Sequence, residues 1–150
     1  MPDASSTLDV LQELIETCRD GEIGYLHAAS VVTDPELKSY FTEQSQERHS
    51  FLGELQELAQ ESGEPRPDTS GSASGTLHRA WFEAKVDIGL GDQAVLHSVE
   101  TGEDAAKRAY EKALASDLTE QVRTIIQRQA QSVSDAHDHV RDLRDRGKAA

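Results

Sequence analysis

Residues 63–75 read GEPRPDTSGSASG, and the arrangement of the whole chain turns on them. The stretch concentrates Pro, Gly and Ser and reads as a loop. Two of the four prolines lie in it, and the others are Pro2 and Pro35. Long segments on either side are therefore free of helix breakers. The segment that follows, 76–90, holds Leu77, Trp81, Val86 and Ile88 and ends between Gly89 and Gly91. It predicts one short helix.

On the N-terminal side of the loop, Leu37, Tyr40, Phe41, Phe51, Leu55 and Leu58 predict a helix over 35–62. Asp34 is its cap and Pro35 suits its first position. Before it, Leu8, Leu11, Ile15, Cys18, Tyr25, Ala29 and Val32 recur in steps of three and four, a helix over 7–32. Ser6 and Asp9 resemble its capping pair. The brief turn at Asp34-Pro35 makes these two helices an antiparallel hairpin. On the C-terminal side, Asp92 is read as the cap of a helix over 92–115 carrying Leu96, Val99, Ala106, Tyr110 and Leu114. Asp117 and Glu120 form a capping-box analogue for a last helix over 118–146, striped by Leu118, Val122, Ile125, Ile126, Val133, Val140 and Leu143. Arg141, Arg144, Arg146 and Lys148 suit the negative end of its dipole. A middle link of about 30 residues runs the length of a bundle and makes helices two and three parallel. The expectation is one all-α domain over 1–150, a ferritin-like four-helix bundle (up-down-down-up). A short extra helix lies in its long connection, and 1–6 and 147–150 are flexible ends.

Composition narrows the function. The 28 Asp and Glu against 15 Lys and Arg leave a formal net charge of −13, which repels nucleic acid and anionic membrane. No run of 18 apolar residues is present for a transmembrane helix, and MPDASSTLDV lacks the basic and apolar regions of a signal peptide. Cys18, the only cysteine, excludes an intrachain disulfide and a cysteine-built zinc cage. It fits a reducing cytoplasm, the expected location. No Gly-rich phosphate loop or nucleophile motif supports hydrolase or nucleotide chemistry.

The informative residues interrupt the apolar stripes. Glu22 falls on the line of Cys18 and Tyr25. Gln44 and Glu47 lie between Tyr40 and Phe51, Glu100 and Glu103 between Leu96 and Tyr110, and Gln129 and His137 flank Val133. Counting at about 1.5 Å per residue puts Glu22, Glu47 and Glu103 within one turn of a common layer, with His137 about a turn higher, near Glu100 and His97. Buried carboxylates must be protonated, neutralised or bound to metal. Carboxylates with one or two imidazoles suit iron, manganese or zinc. Glu22, Glu47, Glu100, Glu103 and His137 are thus the candidate metal ligands. Di-iron bundles, however, use Glu-x-x-His on two helices, and the sequence has none. His97 and Glu100 have that spacing in reverse order. Arg48, Lys107 and Arg108 instead offer internal neutralisation, with Tyr25, Tyr40 and Tyr110 as donors. Charged core layers are often structural, which favours this second reading.

The segments Asp20-Gly21-Glu22-Ile23-Gly24-Tyr25, Gln46-Glu47-Arg48, His78-Arg79-Ala80-Trp81, Glu100-Thr101-Gly102-Glu103-Asp104, Ala109-Tyr110 and Ala136-His137-Asp138 carry a family resemblance. From about Leu8 to Leu143 the chain resembles an uncharacterised bacterial family of ferritin-like four-helix-bundle proteins, a domain of unknown function near the rubrerythrins. The resemblance implies the bundle and singles out Glu22, Glu47, Glu100, Glu103 and His137. It implies no established activity.

Three functions follow as expectations. The first is a ferritin-like bundle holding metal, with a stress-related accessory role by analogy of fold. The second is a metal-dependent oxidase or peroxidase using Glu22, Glu47, Glu103 and His137. The third is a purely structural or partner-binding bundle. Trp81, Phe82 and Ile88 on the connector have apolar surface to cover the bundle or a neighbour, so a homodimer is the expected assembly.

Overall fold

Asp34 takes an extended backbone (φ −71°, ψ 119°), and its carboxylate accepts the Glu36 N–H at 2.9 Å. With Pro35 next, this starts a helix where the sequence predicts one. The computed structural model describes residues 4–63 and 91–149, with side chains over 6–63 and 91–147. The expected loop beyond Gly63, the short helix of 76–90 and Trp81 lie outside the described residues. Within the described residues the chain forms four helices and no strand: α1 (Ala4–Val31), α2 (Pro35–Glu61), α3 (Asp92–Leu114) and α4 (Glu120–Ala149).

Polar contacts fix which helix ends meet. Asp92, the first residue of α3, accepts the N–H groups of Thr33 and Asp34 in the α1–α2 turn at 2.8 and 2.9 Å. The C-terminal part of α3 meets the first half of α1 through Lys112 and Glu13 at 3.2 Å. The start of α4 meets the end of α2 through Gln121 and Glu61 at 3.3 Å. The N-termini of α2 and α3 therefore share one end of the molecule. α1 packs on α2, α3 on α4, and α1 on α3.

Three local expectations are corrected. The N-cap of α3 is Gly91, at φ 94°, with no side-chain cap. Such a positive φ is available to glycine at little cost. Asp92 is thereby released from capping its own helix and ties α3 to the α1–α2 turn. At α4 the side chain that caps belongs to Thr119, whose Oγ1 accepts from the Val122 N–H at 3.4 Å, rather than to Asp117. Arg144 has a more specific role than facing the helix dipole. It reaches Glu100 on α3 at 2.7 Å.

The apolar core comes in two parts. One gathers Leu11, Leu14, Ile15 and Cys18 with Phe51, Leu55, Ala106, Tyr110, Ile126 and Val133. The other gathers Tyr25, Ala28, Val32, Phe41, Leu96, Val99 and Val140. Each fully buried large apolar side chain contributes about 1.5–3 kcal/mol, so these two clusters hold the bundle together. Between them every helix interposes polar residues or glycine: Asp20 and Gly21 on α1, Ser45 and Arg48 on α2, Glu100 and Glu103 on α3, His137 on α4.

Candidate functional site

The layer between the two apolar clusters is where the sequence counting puts it, but it presents different side chains. On α2 the inward line is Leu37, Phe41, Ser45, Arg48, Leu52 and Leu55. This is one residue, and so about 100° of helix rotation, from the line through Gln44 and Glu47. Arg48 is 1% exposed and Glu103 0% exposed. They meet across the α2–α3 space, Arg48 Nη2 donating to Glu103 Oε2 at 2.5 Å. Burial alone would lower the affinity of the guanidinium for its proton. The Glu103 carboxylate more than offsets this and keeps Arg48 charged.

The surroundings of Arg48 are built for a planar cation. Its guanidinium carbon lies 5.4 Å from the centroid of the Tyr25 ring, within the range of a cation–π contact. On α1 the facing residue is Gly21, where an added Cβ would stand 3.0 Å from Arg48 Nη1 and 3.4 Å from Cγ. A glycine inside a helix carries an entropic cost, and here it makes room for the arginine. Burial holds the Tyr25 hydroxyl well above its ordinary range, and the Glu103 charge adds to the effect.

A second polar chain runs from the lower cluster toward the surface. The Tyr110 hydroxyl donates to Gln129 Oε1 at 2.7 Å, leaving its oxygen to accept from Cys18 Sγ at 3.1 Å. Gln129 Nε2 donates to Glu54 Oε1 at 3.1 Å, and Glu54 pairs with Arg128. Burial pushes the Cys18 thiol up to about 11. The thiol is neutral and a poor nucleophile.

The other candidate ligands are engaged one by one. Glu22, 13% exposed, pairs with Arg19 at 2.8 Å and His49 at 3.0 Å. Glu47 accepts from Ser132 at the α2–α4 edge. Glu100 holds Arg144. His137 lies between Asp104, 2.6 Å from Nε2, and Asp138, 3.0 Å from Nδ1. The hydrogen bond from His137 holds the Asp138 carboxyl below the usual carboxylate range.

A metal ion in a ferritin-like bundle needs several carboxylates or imidazoles aimed at one point. Among the described residues no three His, Cys, Asp or Glu side chains form a group that could hold a metal ion. The structure brings Glu103 to Arg48 and not to Glu22 or Glu47, and it aims the two His137 nitrogens at separate carboxylates. Among the described residues each of the five candidate ligands is held by partners of its own. Two grooves flank α4, of about 270 and 430 Å³, and neither is lined by Arg48 or Glu103.

The inward position of Glu100, Glu103, Gln129 and His137 is legible in the stripes. Arg48 is read in the sequence as an internal neutraliser, whereas the parts played by Gly21 and Arg144 are what the sequence reading misses. The signal for Arg48 is present, since Phe41, Ser45, Leu52 and Leu55 form an apolar or small line with it.

Over the described residues, fold and site together define an all-helical arrangement of four helices with a charged pair buried in its core. The chain belongs to the family described as Domain of unknown function (DUF2383), whose model matches residues 6–117, from α1 through α3. No curated protein matches the chain. No helix of the described residues is long and apolar enough to cross a membrane.

Proposed function

We propose that this chain is a non-catalytic, ferritin-like bundle of the up-down-down-up layout, in which the Arg48 guanidinium supplies the internal positive charge that a metal supplies elsewhere. The shared end of α2 and α3 supports the layout, since the end of α2 and the start of α3 then lie about 40 Å apart, the length of α2. The single observation that carries the functional reading is the Arg48–Glu103 pair, at 2.5 Å and buried on both sides. It neutralises the innermost carboxylate and leaves no charge for a metal to balance. Glu22, Glu47, Glu100 and His137 act as structural polar groups, and the protein works through its surface as a partner-binding or self-associating bundle. Ile23 and Leu26, exposed on α1 one turn apart, support self-association.

Elemental analysis of protein purified without chelator, repeated after loading with iron, manganese or zinc, tests this. The expected result is no stoichiometric metal, and no turnover of peroxide or dioxygen by the iron-treated protein. Stoichiometric metal lost on mutation of Glu103 would restore the oxidase reading. Light scattering at micromolar concentration should return the dimer mass, and a monomer mass would remove the self-association.

A further inference from the structure

The two grooves beside α4 differ in the charge of their linings. The groove between α3 and α4 is lined by Lys107, which brings a cation of its own. The groove between α2 and α4 is lined by Tyr40, Gln44, Ser132, Asp135, Ala136 and His139, with no Lys or Arg among the described residues. The Tyr40 and His139 rings stand 4.6 Å apart between centroids and form an aromatic wall. Asp135 is exposed, and its Oδ1 accepts from Gln131 at 2.9 Å, a neutral donor that leaves the carboxylate charge in place. Ser132 donates to Glu47, which brings a second carboxylate to the edge of the groove. Burial holds the Tyr40 hydroxyl above its ordinary range. The charges of Glu103, Glu47 and Glu43 add to this, and Arg48 opposes it. The phenol is therefore neutral, and its ring lies among negative charges.

Size and charge narrow the occupant. A volume of about 270 Å³ lies below the roughly 300–1,000 Å³ of pockets for drug-sized ligands, and it suits one long side chain. One carboxylate and one imidazole in the lining are too few ligands for a metal ion. An anion would face Asp135, Glu47 and Glu43. A cation meets carboxylates and aromatic faces. Of the two cationic side chains, arginine is the planar one. It stacks on rings, pairs with a carboxylate through a fork of donors, and is a common anchor of protein interfaces. The net charge of −13 attracts a basic partner from farther away. We infer that the groove between α2 and α4 receives an arginine side chain of a partner protein, stacked on Tyr40 and paired with Asp135. The inference rests on the partner-binding reading proposed above and names the chemistry of that partner.

Titration of the full chain at low salt tests it, with the aromatic-ring NMR signals of Tyr40 and His139 as the readout. The probes are short capped alanine peptides that differ only in a central arginine, lysine or citrulline. The arginine peptide should move both signals saturably, and the lysine peptide should bind more weakly. Citrulline, of the same shape without the charge, should leave the signals in place. Asp135→Asn should weaken the arginine peptide about three- to fivefold, the loss of one solvent-facing ion pair. Asp135 is exposed, so this variant keeps the fold, and an unchanged helical circular dichroism spectrum checks that. Ring signals that stay still with the arginine peptide would overturn the site. So would signals that move equally with lysine or citrulline, or an affinity unchanged by Asp135→Asn. Metal content and light scattering without peptide report separately on the proposed function. A metal-free bundle that ignores the arginine peptide sinks the groove alone, whereas stoichiometric metal on Glu103 sinks the bundle reading and leaves the peptide result standing.

Discussion

Gly21 and Gly53 sit inside long helices and differ in what a side chain would meet. A Cβ at Gly21 would press on Arg48, while a Cβ at Gly53 would meet nothing within 4 Å. Arg48 is held by Glu103 and Tyr25 and cannot swing aside freely. Gly21→Ala should therefore destabilise the protein by about 1–3 kcal/mol, the range for overpacking a core. Gly53→Ala should stabilise it by about 0.5–1 kcal/mol, the helix-interior preference for alanine. Urea denaturation midpoints check both, and shifts in the same direction would contradict the cradle at Gly21. Cys18 offers a second check at this scale. With its thiol raised from 9.0 to about 11, the folded protein should react with iodoacetamide at least on the order of a hundredfold more slowly than the unfolded chain. A native rate close to that of a free thiol would show that Cys18 is not buried between the helices.

At the scale of elements, Asp92 is the joint between the two halves of the bundle. Burial works against its charge, but the N–H groups of Thr33 and Asp34 and the Thr33 hydroxyl outweigh burial and hold its carboxyl below the ordinary value. A depressed folded pKa contributes stability that is present above the unfolded value and is lost as pH falls through the folded one. Asp92→Asn should cost about 1–2 kcal/mol at neutral pH, the loss of charge-assisted bonds to one end of α3. The gap between wild type and variant should narrow below about pH 4, where aspartate begins to protonate. Denaturation curves at pH 7 and pH 3 measure it, and a gap independent of pH would refute the assigned role. The sequence shows an acidic residue at a helix start, and both a cap and a tether fit that pattern. Only the positive φ of Gly91, a property of the folded backbone, decides between them.

For the whole molecule, the four helices and the height of the polar layer are legible because both rest on periodicity and counting. Stripes at steps of three and four locate helices, and residue rise converts chain position into depth. The rotation of each helix is less legible. On α2 the lines through Glu47 and through Arg48 are both flanked by apolar residues, and one residue of offset exchanges an inward carboxylate for an inward guanidinium. That exchange converts a metal-like layer into an ion pair. On α3 the apolar neighbours leave no such choice, and Glu100 and Glu103 point inward as read. The most direct test of the internal pair is a set of thermal melts of wild type and Glu103→Gln, each with and without added iron or zinc. The account predicts that metal shifts neither protein, and that Glu103→Gln alone destabilises the metal-free fold by about 3–5 kcal/mol, the cost of stranding a buried cation. A metal-dependent rise in the wild-type midpoint, abolished by Glu103→Gln in a variant whose metal-free stability is unchanged, would contradict it.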